Sequence, residues 1–157
     1  MKKTLYFHTC ESIEDYEIAK KLTTDYMEWL QMDLCFQSID KEFETFSQMY
    51  GPPSGRFLYA TIDGVVAGGV GVRKINDQVC EMKRLYVYEE FQGLGLGRRL
   101  CDELLKVAQD LGYARMRLDT VEKLQRAIHL YQKMGFYEIP KYYENPDKTV
   151  RFMELAL

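Results

Sequence analysis

Along the 157-residue chain, apolar positions recur with two periods, and each switch between them marks an element. Thr4 to Thr9 reads as a first strand. Ser12, with Asp15 three residues on, then offers a helix start close to a capping box. Leu22, Tyr26, Trp29 and Leu30 recur at helical spacing and carry this first helix to about Asp33. Phe43, Phe46 and Met49 mark a shorter second helix that Gly51-Pro52-Pro53 ends. Arg56 to Ile62, the Asp63-Gly64 turn and Val65 to Lys74 form a hairpin, and Asn76-Asp77 turns the chain into a strand-like run from Val79 to Tyr88. Leu100, Cys101, Leu104, Ala108 and Leu111 trace one face of a helix that runs from Arg98 and stops at Gly112. Ala114 to Asp119 is the next strand, Glu122 to Met134 the next helix, and Gly135 its stop. Phe136 to Ile139 and Val150 to Leu157 close the pattern as a hairpin across the loop from Pro140 to Pro146.

Composition changes this picture little. A chain of this length suits one domain that buries about 70% of the unfolded surface, with 46% hydrophobic and 29% charged residues. The net charge of −3 argues against broad nucleic-acid affinity. No run approaches transmembrane length, and Met1-Lys2-Lys3 leads into a stretch that His8 and Glu11 interrupt, unlike a signal peptide. Cysteines 10, 35, 80 and 101 form no C-x-x-C, so a reducing, cytoplasmic setting is expected rather than a disulfide framework. His8 and His129 lack ligand-spaced neighbours, which disfavours a metal. Ser54, in Gly51-Pro52-Pro53-Ser54-Gly55, lies in a turn and matches no nucleophile elbow. Gly68, Gly69 and Gly71 lie within a β-rich run, where close packing or a bulge is the expected use. Cys101, on the apolar helix face, is expected to be buried rather than nucleophilic.

The chemistry concentrates where the Val79 to Tyr88 strand passes through the acidic bend Glu89-Glu90-Phe91 into Gln92-Gly93-Leu94-Gly95-Leu96-Gly97-Arg98-Arg99 and a helix. Helix N-termini carry free N–H groups and partial positive charge, and glycines let the backbone approach an anion closely. Arg98 and Arg99 add fixed charge. The spacing fails the dinucleotide pattern G-x-G-x-x-G and the phosphate loop G-x-x-x-x-G-K-[ST], since both counts reach Arg98. What fits is Q-x-x-G-x-G, with Gln92, Gly95 and Gly97 in place. Here the chain resembles the GNAT superfamily of N-acetyltransferases, which hold the pyrophosphate of acetyl-CoA with [RQ]-x-x-G-x-[GA]. Ala127, Leu130, Tyr131, Gly135 and Phe136 are similar to the family's second motif, A-x-x-L-Y-x-x-x-G-F. The likeness is good from residue 80 to 157 and limited to element order before that.

The resemblance implies a single α/β domain over 1–157, with a mixed, mostly antiparallel sheet of six to seven strands flanked by helices and splayed where cofactor enters. It implies acetyl-CoA as cofactor, with Gln92, Gly93, Leu94, Gly95, Leu96, Gly97 and Arg98 around its pyrophosphate. The backbone of Leu85, Tyr86 and Val87 would meet its pantetheine arm, although Tyr86 and Tyr88 can equally be packing residues. Many members carry Asn where this chain has Leu124, so Thr120, just past the strand end, is the substitute contact. Tyr131 is implied as the acid for the departing thiolate, the alternative being a tyrosine that packs in the core.

Only about one alkylamine in a few thousand is neutral at pH 7, so something must take a proton. Glu81 stands at the interval of the catalytic glutamate in histone-acetylating members, and apolar neighbours would raise its pKa. The other reading is a structural glutamate paired with Lys83, Arg73 or Arg84 while water relays the proton. The acceptor implied is a primary amine, of a small molecule in preference to a protein because of the compact chain and the loop aromatics Tyr142 and Tyr143. Attack is expected to be direct, in a ternary complex. A protein or peptide acceptor, a non-catalytic CoA-binding module and, more distantly, a nicotinamide oxidoreductase are the alternatives. Dimers are common in the family, which makes a homodimer an allowed partner. Tyr26, Trp29 and Phe36 could wall the acceptor pocket, but core packing is the preferred reading for each.

Overall fold

The computed structural model of the chain describes residues 3–31 and 41–157; Phe36 and the expected helix end at Asp33 lie outside them. Seven strands form one sheet in the order β1-β2-β3-β4-β5-β7-β6. They are β1 (Leu5–Thr9), β2 (Arg56–Ile62), β3 (Val65–Lys74), β4 (Val79–Val87), β5 (Arg115–Val121), β6 (Tyr137–Ile139) and β7 (Val150–Ala156). Every neighbouring pair is antiparallel except β4 with β5. The helices are α1 (Ile13–Leu30), α2 (Phe46–Met49), α3 (Leu96–Asp110) and α4 (Gln125–Met134), with one further helical turn at 41–44.

Local chemistry explains most boundaries. The Ser12 hydroxyl accepts from the Asp15 amide and the Asp15 carboxylate accepts from the Ser12 amide, a complete capping box at the start of α1. α1 stops at Leu30, sooner than periodicity suggests, because Gln31 turns left-handed (φ 55°) and its amide folds back on the Met27 carbonyl. Asp63 and Gly64 both take positive φ, as a two-residue hairpin turn of type I′ requires. α3 begins two residues before the expected Arg98, and α4 three after Glu122. Gly135 at φ 102° ends α4.

The sheet carries a core on each face. On one, Leu100, Cys101, Leu104 and Ala108 of α3, with Tyr131 of α4, pack on Cys80, Met82, Met116 and Leu118. On the other, Ala19 and Leu22 of α1 pack with Phe46, Tyr50 and Phe57. Each such side chain withdrawn from water contributes about 1.5–3 kcal/mol. Two of the three β3 glycines serve this second core: a Cβ on Gly71 would sit 2.7 Å from the Tyr50 ring, and one on Gly69 2.9 Å from Leu22, whereas one on Gly68 would meet the Tyr86 carbonyl of β4 at 2.6 Å.

Two irregularities in β4 shape the centre of the molecule. Its parallel pairing with β5 covers only Val79, Cys80 and Glu81, against Arg115, Met116 and Arg117; beyond that the strands part. Further along, Gly69 faces Tyr86 while Gly71 faces Lys83, so two β4 residues stand against one of β3. This bulge falls at Arg84, whose φ is 63°, and bulges bend the strand that carries them.

Candidate active site

The parting of β4 and β5 opens a cleft of about 650 Å³ on the side of the glycine loop. Gly95 caps α3 in the left-handed region (φ 77°), and a Cβ on Gly93 or Gly95 would meet nothing within 4 Å. The loop backbone is therefore open to the cleft at the N-terminus of a 15-residue helix, a geometry suited to an anion. Gln92, Gly93, Gly95, Leu96, Gly97 and Arg98 all line the cleft. Leu94 instead holds its side chain out at 59% exposure. Arg99 turns away, its guanidinium 5.4 Å from the Phe7 ring. Gln92 has a further task, since its amide donates to the Val87 carbonyl at 2.9 Å and braces the end of β4.

Leu85, Tyr86 and Val87 line the same cleft. Leu85 and Val87 pack toward the α3 face, and Tyr86 toward α1 against Tyr26 and Trp29. Since Tyr88 donates its amide to Ala67 of β3, strand alternation directs the Val87 amide away from β3, into the gap left by β5. Trp29 is not a core residue: 40% exposed, it lines the cleft and donates to Glu89 at 3.1 Å. Lys123 and Arg126, at the start of α4, also line it, cations that no motif announced.

On the other side of the gap lies a cavity of about 550 Å³. Here the bulge matters. Met82 and Leu85 pack in the α3 core, while Glu81, Lys83 and Arg84 all line the cavity, a placement that regular alternation would forbid. Arg84 makes a two-pronged pair with buried Glu42 (2.8 and 3.1 Å), not with Glu81. Glu81, 1% exposed, accepts from Arg73 at 2.8 Å and from the Tyr142 hydroxyl at 2.6 Å, with the Lys83 ammonium 3.8 Å away. Burial alone would push this carboxyl up, but Lys83, Arg73 and the Tyr142 hydrogen bond outweigh it and hold the pKa below the ordinary value. The expected upward shift is thus reversed.

Asp119 and Thr120, placed at and just past a strand end by the sequence, sit inside β5, which runs on to Val121. Thr120 lines the 550 Å³ cavity and a small junction of about 40 Å³, and is absent from the lining of the 650 Å³ cleft. Tyr131, Leu85, Lys83, Asp119 and Tyr26 line that junction, which shares residues with both larger spaces. Tyr131 is 6% exposed, with its ring edge-on to Phe136 at 5.8 Å. Burial drives its phenol well above the usual range, so it stays protonated at neutral pH. The loop between β6 and β7 closes the far wall: Tyr143 donates to Asp119 at 2.8 Å, and Tyr142 meets Phe152 edge to face beneath the Arg117 guanidinium. Cys10, Cys80 and Cys101 are buried, which pushes each thiol up to about 12; none is a competent nucleophile.

A sheet split between its central strands, a glycine-loop helix start at the mouth, and a charged chamber behind a buried phenol define a group-transfer enzyme built to bring two substrates together. The sequence profile of the acetyltransferase (GNAT) family matches residues 21–136, and the chain belongs to that family. An uncharacterised N-acetyltransferase of Schizosaccharomyces pombe is 39% identical over 146 residues, 92% of this chain and 90% of its own. Among solved structures, an acetyltransferase from Streptococcus agalactiae superposes with a TM-score of 0.80 at 23% identity, covering 98% of both chains. PaiA N-acetyltransferase from Thermoplasma acidophilum, solved in complex with coenzyme A, gives 0.71 at 22%, covering 98% of this chain and 99% of its own.

Proposed function

We propose that this enzyme transfers an acetyl group from acetyl-CoA to the primary amine of a small molecule. One observation carries the reading: the cleft that holds the open-backbone glycine loop and the charged chamber both share lining residues with a small junction where Tyr131 stands. Family membership and the coenzyme A complex of PaiA support the choice of cofactor. When bound, acetyl-CoA supplies a thioester: an N–C bond forms as the C–S bond breaks, one proton leaves with the thiol and one goes to solvent.

The chain's own groups divide the remaining work. The amides of the loop at Gly93 to Gly97, with Arg98, hold the pyrophosphate. The edge of β4 at Leu85 and Val87 aligns the pantetheine arm, with Gln92 fixing the strand end. Tyr131 keeps its proton through burial and gives it to the departing thiolate. Both oxygens of Glu81 are engaged, by Arg73 and by Tyr142, which supports a positioning charge rather than a base; water then takes the proton of the amine. The tyrosine-tied loop over the chamber favours a small acceptor over a protein.

Acetyl-CoA-dependent thiol release, screened across amines, tests the function. Tight acetyl-CoA binding with turnover on one class of small amine is the expected outcome. No binding of acetyl-CoA by calorimetry, or turnover on peptides alone, would refute it.

A further inference from the structure

Among the described residues, the charges around the acceptor chamber cancel. Arg84 faces Glu42, Arg73 faces Glu81 and Lys83 faces Asp119, and the two other charged residues of the lining, Lys41 and Glu144, are also opposite in sign. A chamber meant for a polycation would carry an excess of carboxylates. This one has none.

Within that balance one pair is left unfinished. Arg84 and Arg73 donate hydrogen bonds to their partners at 3.1 Å or less. The Lys83 ammonium, with its side chain 18% exposed, stands 3.8 Å from Glu81 and 3.9 Å from Asp119, beyond hydrogen-bond reach of both. It donates to no other described residue. Asp119 accepts from Tyr143 through Oδ2, and its Oδ1 has no partner among the described residues. A part-exposed ammonium that no described side chain accepts from can turn its three donors to a ligand in the chamber. Both groups line the chamber and also the junction beside Tyr131.

We propose that the acceptor is a zwitterionic α-amino acid with an apolar side chain. Its carboxylate takes the free donors of Lys83, and its amino group sits against Asp119, at the junction where transfer occurs. The two ends of the zwitterion are separated by a single carbon, which suits a Lys–Asp pair that is close but unbonded. Neutrality of the whole then matches the neutral lining, and Leu30, Met49, Val121, Leu124 and Val150 supply an apolar wall for the side chain. The inference rests on the acetyltransferase reading for the location of the reacting amine.

The test is calorimetry on the CoA-loaded protein with L-phenylalanine, L-phenylalaninamide and 2-phenylethylamine, repeated with the leucine and methionine series. In at least one series the acid should bind about 30-fold or more tightly than its amide, the scale of a charge-assisted hydrogen bond. Lys83→Met should bring that ratio to within about 3-fold, and Lys83→Arg should restore part of it. Asp119→Asn should weaken acid and amine together, since both present an ammonium. Equal or tighter binding of the amides, or no binding in any series, overturns the proposal; if a variant fails to fold, the wild-type comparison decides. Absence of acetyl-CoA binding would instead defeat the function proposed above, and the same titration of the free protein would still discriminate acid from amide.

Discussion

Glu81→Gln separates a positioning charge from a base. The carboxylate is 1% exposed and has Arg73 Nε at 2.8 Å, the Tyr142 hydroxyl at 2.6 Å and Lys83 at 3.8 Å. Glutamine keeps the volume and can still accept from Arg73, while the Tyr142 hydroxyl can rotate to accept from the new amide. What disappears is the charge. Stranding the partner of a buried ion costs about 3–5 kcal/mol. Here Arg73 is 36% exposed and Lys83 keeps Asp119 at 3.9 Å, so a loss of about 1–3 kcal/mol is expected. At roughly 2–4 °C per kcal/mol for a chain of this size, Tm should fall by about 2–12 °C near neutral pH.

The pH dependence carries a sign. A carboxyl held below its ordinary value of 4.5 stabilises the fold fully above that pH, and the contribution drains away as pH falls from there through the lower native value. The Tm gap between wild type and variant should therefore be constant from pH 6 to 8 and narrow below about 4.5. Turnover in the thiol-release assay should drop by the same modest factor, less than about 10-fold, from pH 6.5 to 9. An unchanged Tm, with a loss of about 10²-fold that shrinks as pH nears the pKa of the amine, would make Glu81 the base and refute this reasoning.

Gly95→Asp should fold, since nothing lies within 4 Å of a Cβ there and Asp tolerates a left-handed φ, yet lose acetyl-CoA binding in calorimetry through negative charge at the helix start; retained affinity would displace the cofactor site. Tyr131→Phe should lower turnover by about 10²-fold with acetyl-CoA affinity and Tm nearly constant. A Tyr131→Phe protein that is less stable but turns over normally would make the tyrosine structural. Gly71→Ala should cost about 1–3 kcal/mol by thermal denaturation, as overpacking does, because its Cβ meets the Tyr50 ring at 2.7 Å; an unchanged Tm would show that this core repacks freely.

What the sequence disclosed was local. The Ser12 to Asp15 capping box, the Asp63-Gly64 turn and the stops at Gly112 and Gly135 each depend on residues a few positions apart, and each folds as read, while the glycine loop differs only in that α3 takes in Leu96 and Gly97. The chamber depends on residues far apart. Tyr142 reaches Glu81 across 61 positions and Arg84 reaches Glu42 across 42, distances that periodicity cannot span. Trp29 was misread because helical spacing places a residue on a face without telling whether that face meets a core or a cleft. The expected rise in the pKa of Glu81 failed for a related reason: Cys80 and Met82, its neighbours in sequence, point to the opposite face, and its neighbours in space are Arg73, Lys83 and Tyr142.

The bulge at Arg84 is the feature from which both halves of the site follow. A left-handed φ on a non-glycine residue costs about 1–3 kcal/mol, and here it is offset by a buried, two-pronged pair with Glu42. By shifting alternation one place, it lets a single strand serve in two ways. Before the bulge, β4 presents side chains, Glu81 and Lys83, to the chamber; beyond it, Leu85 and Val87 turn their side chains into the α3 core and leave a backbone edge facing the gap. A regular strand would have placed Leu85 in the chamber and Arg84 among the apolar side chains of the α3 core. The switch from side-chain to backbone groups therefore falls at the junction that Tyr131 also lines, where the proposed reaction would bring acceptor and cofactor together.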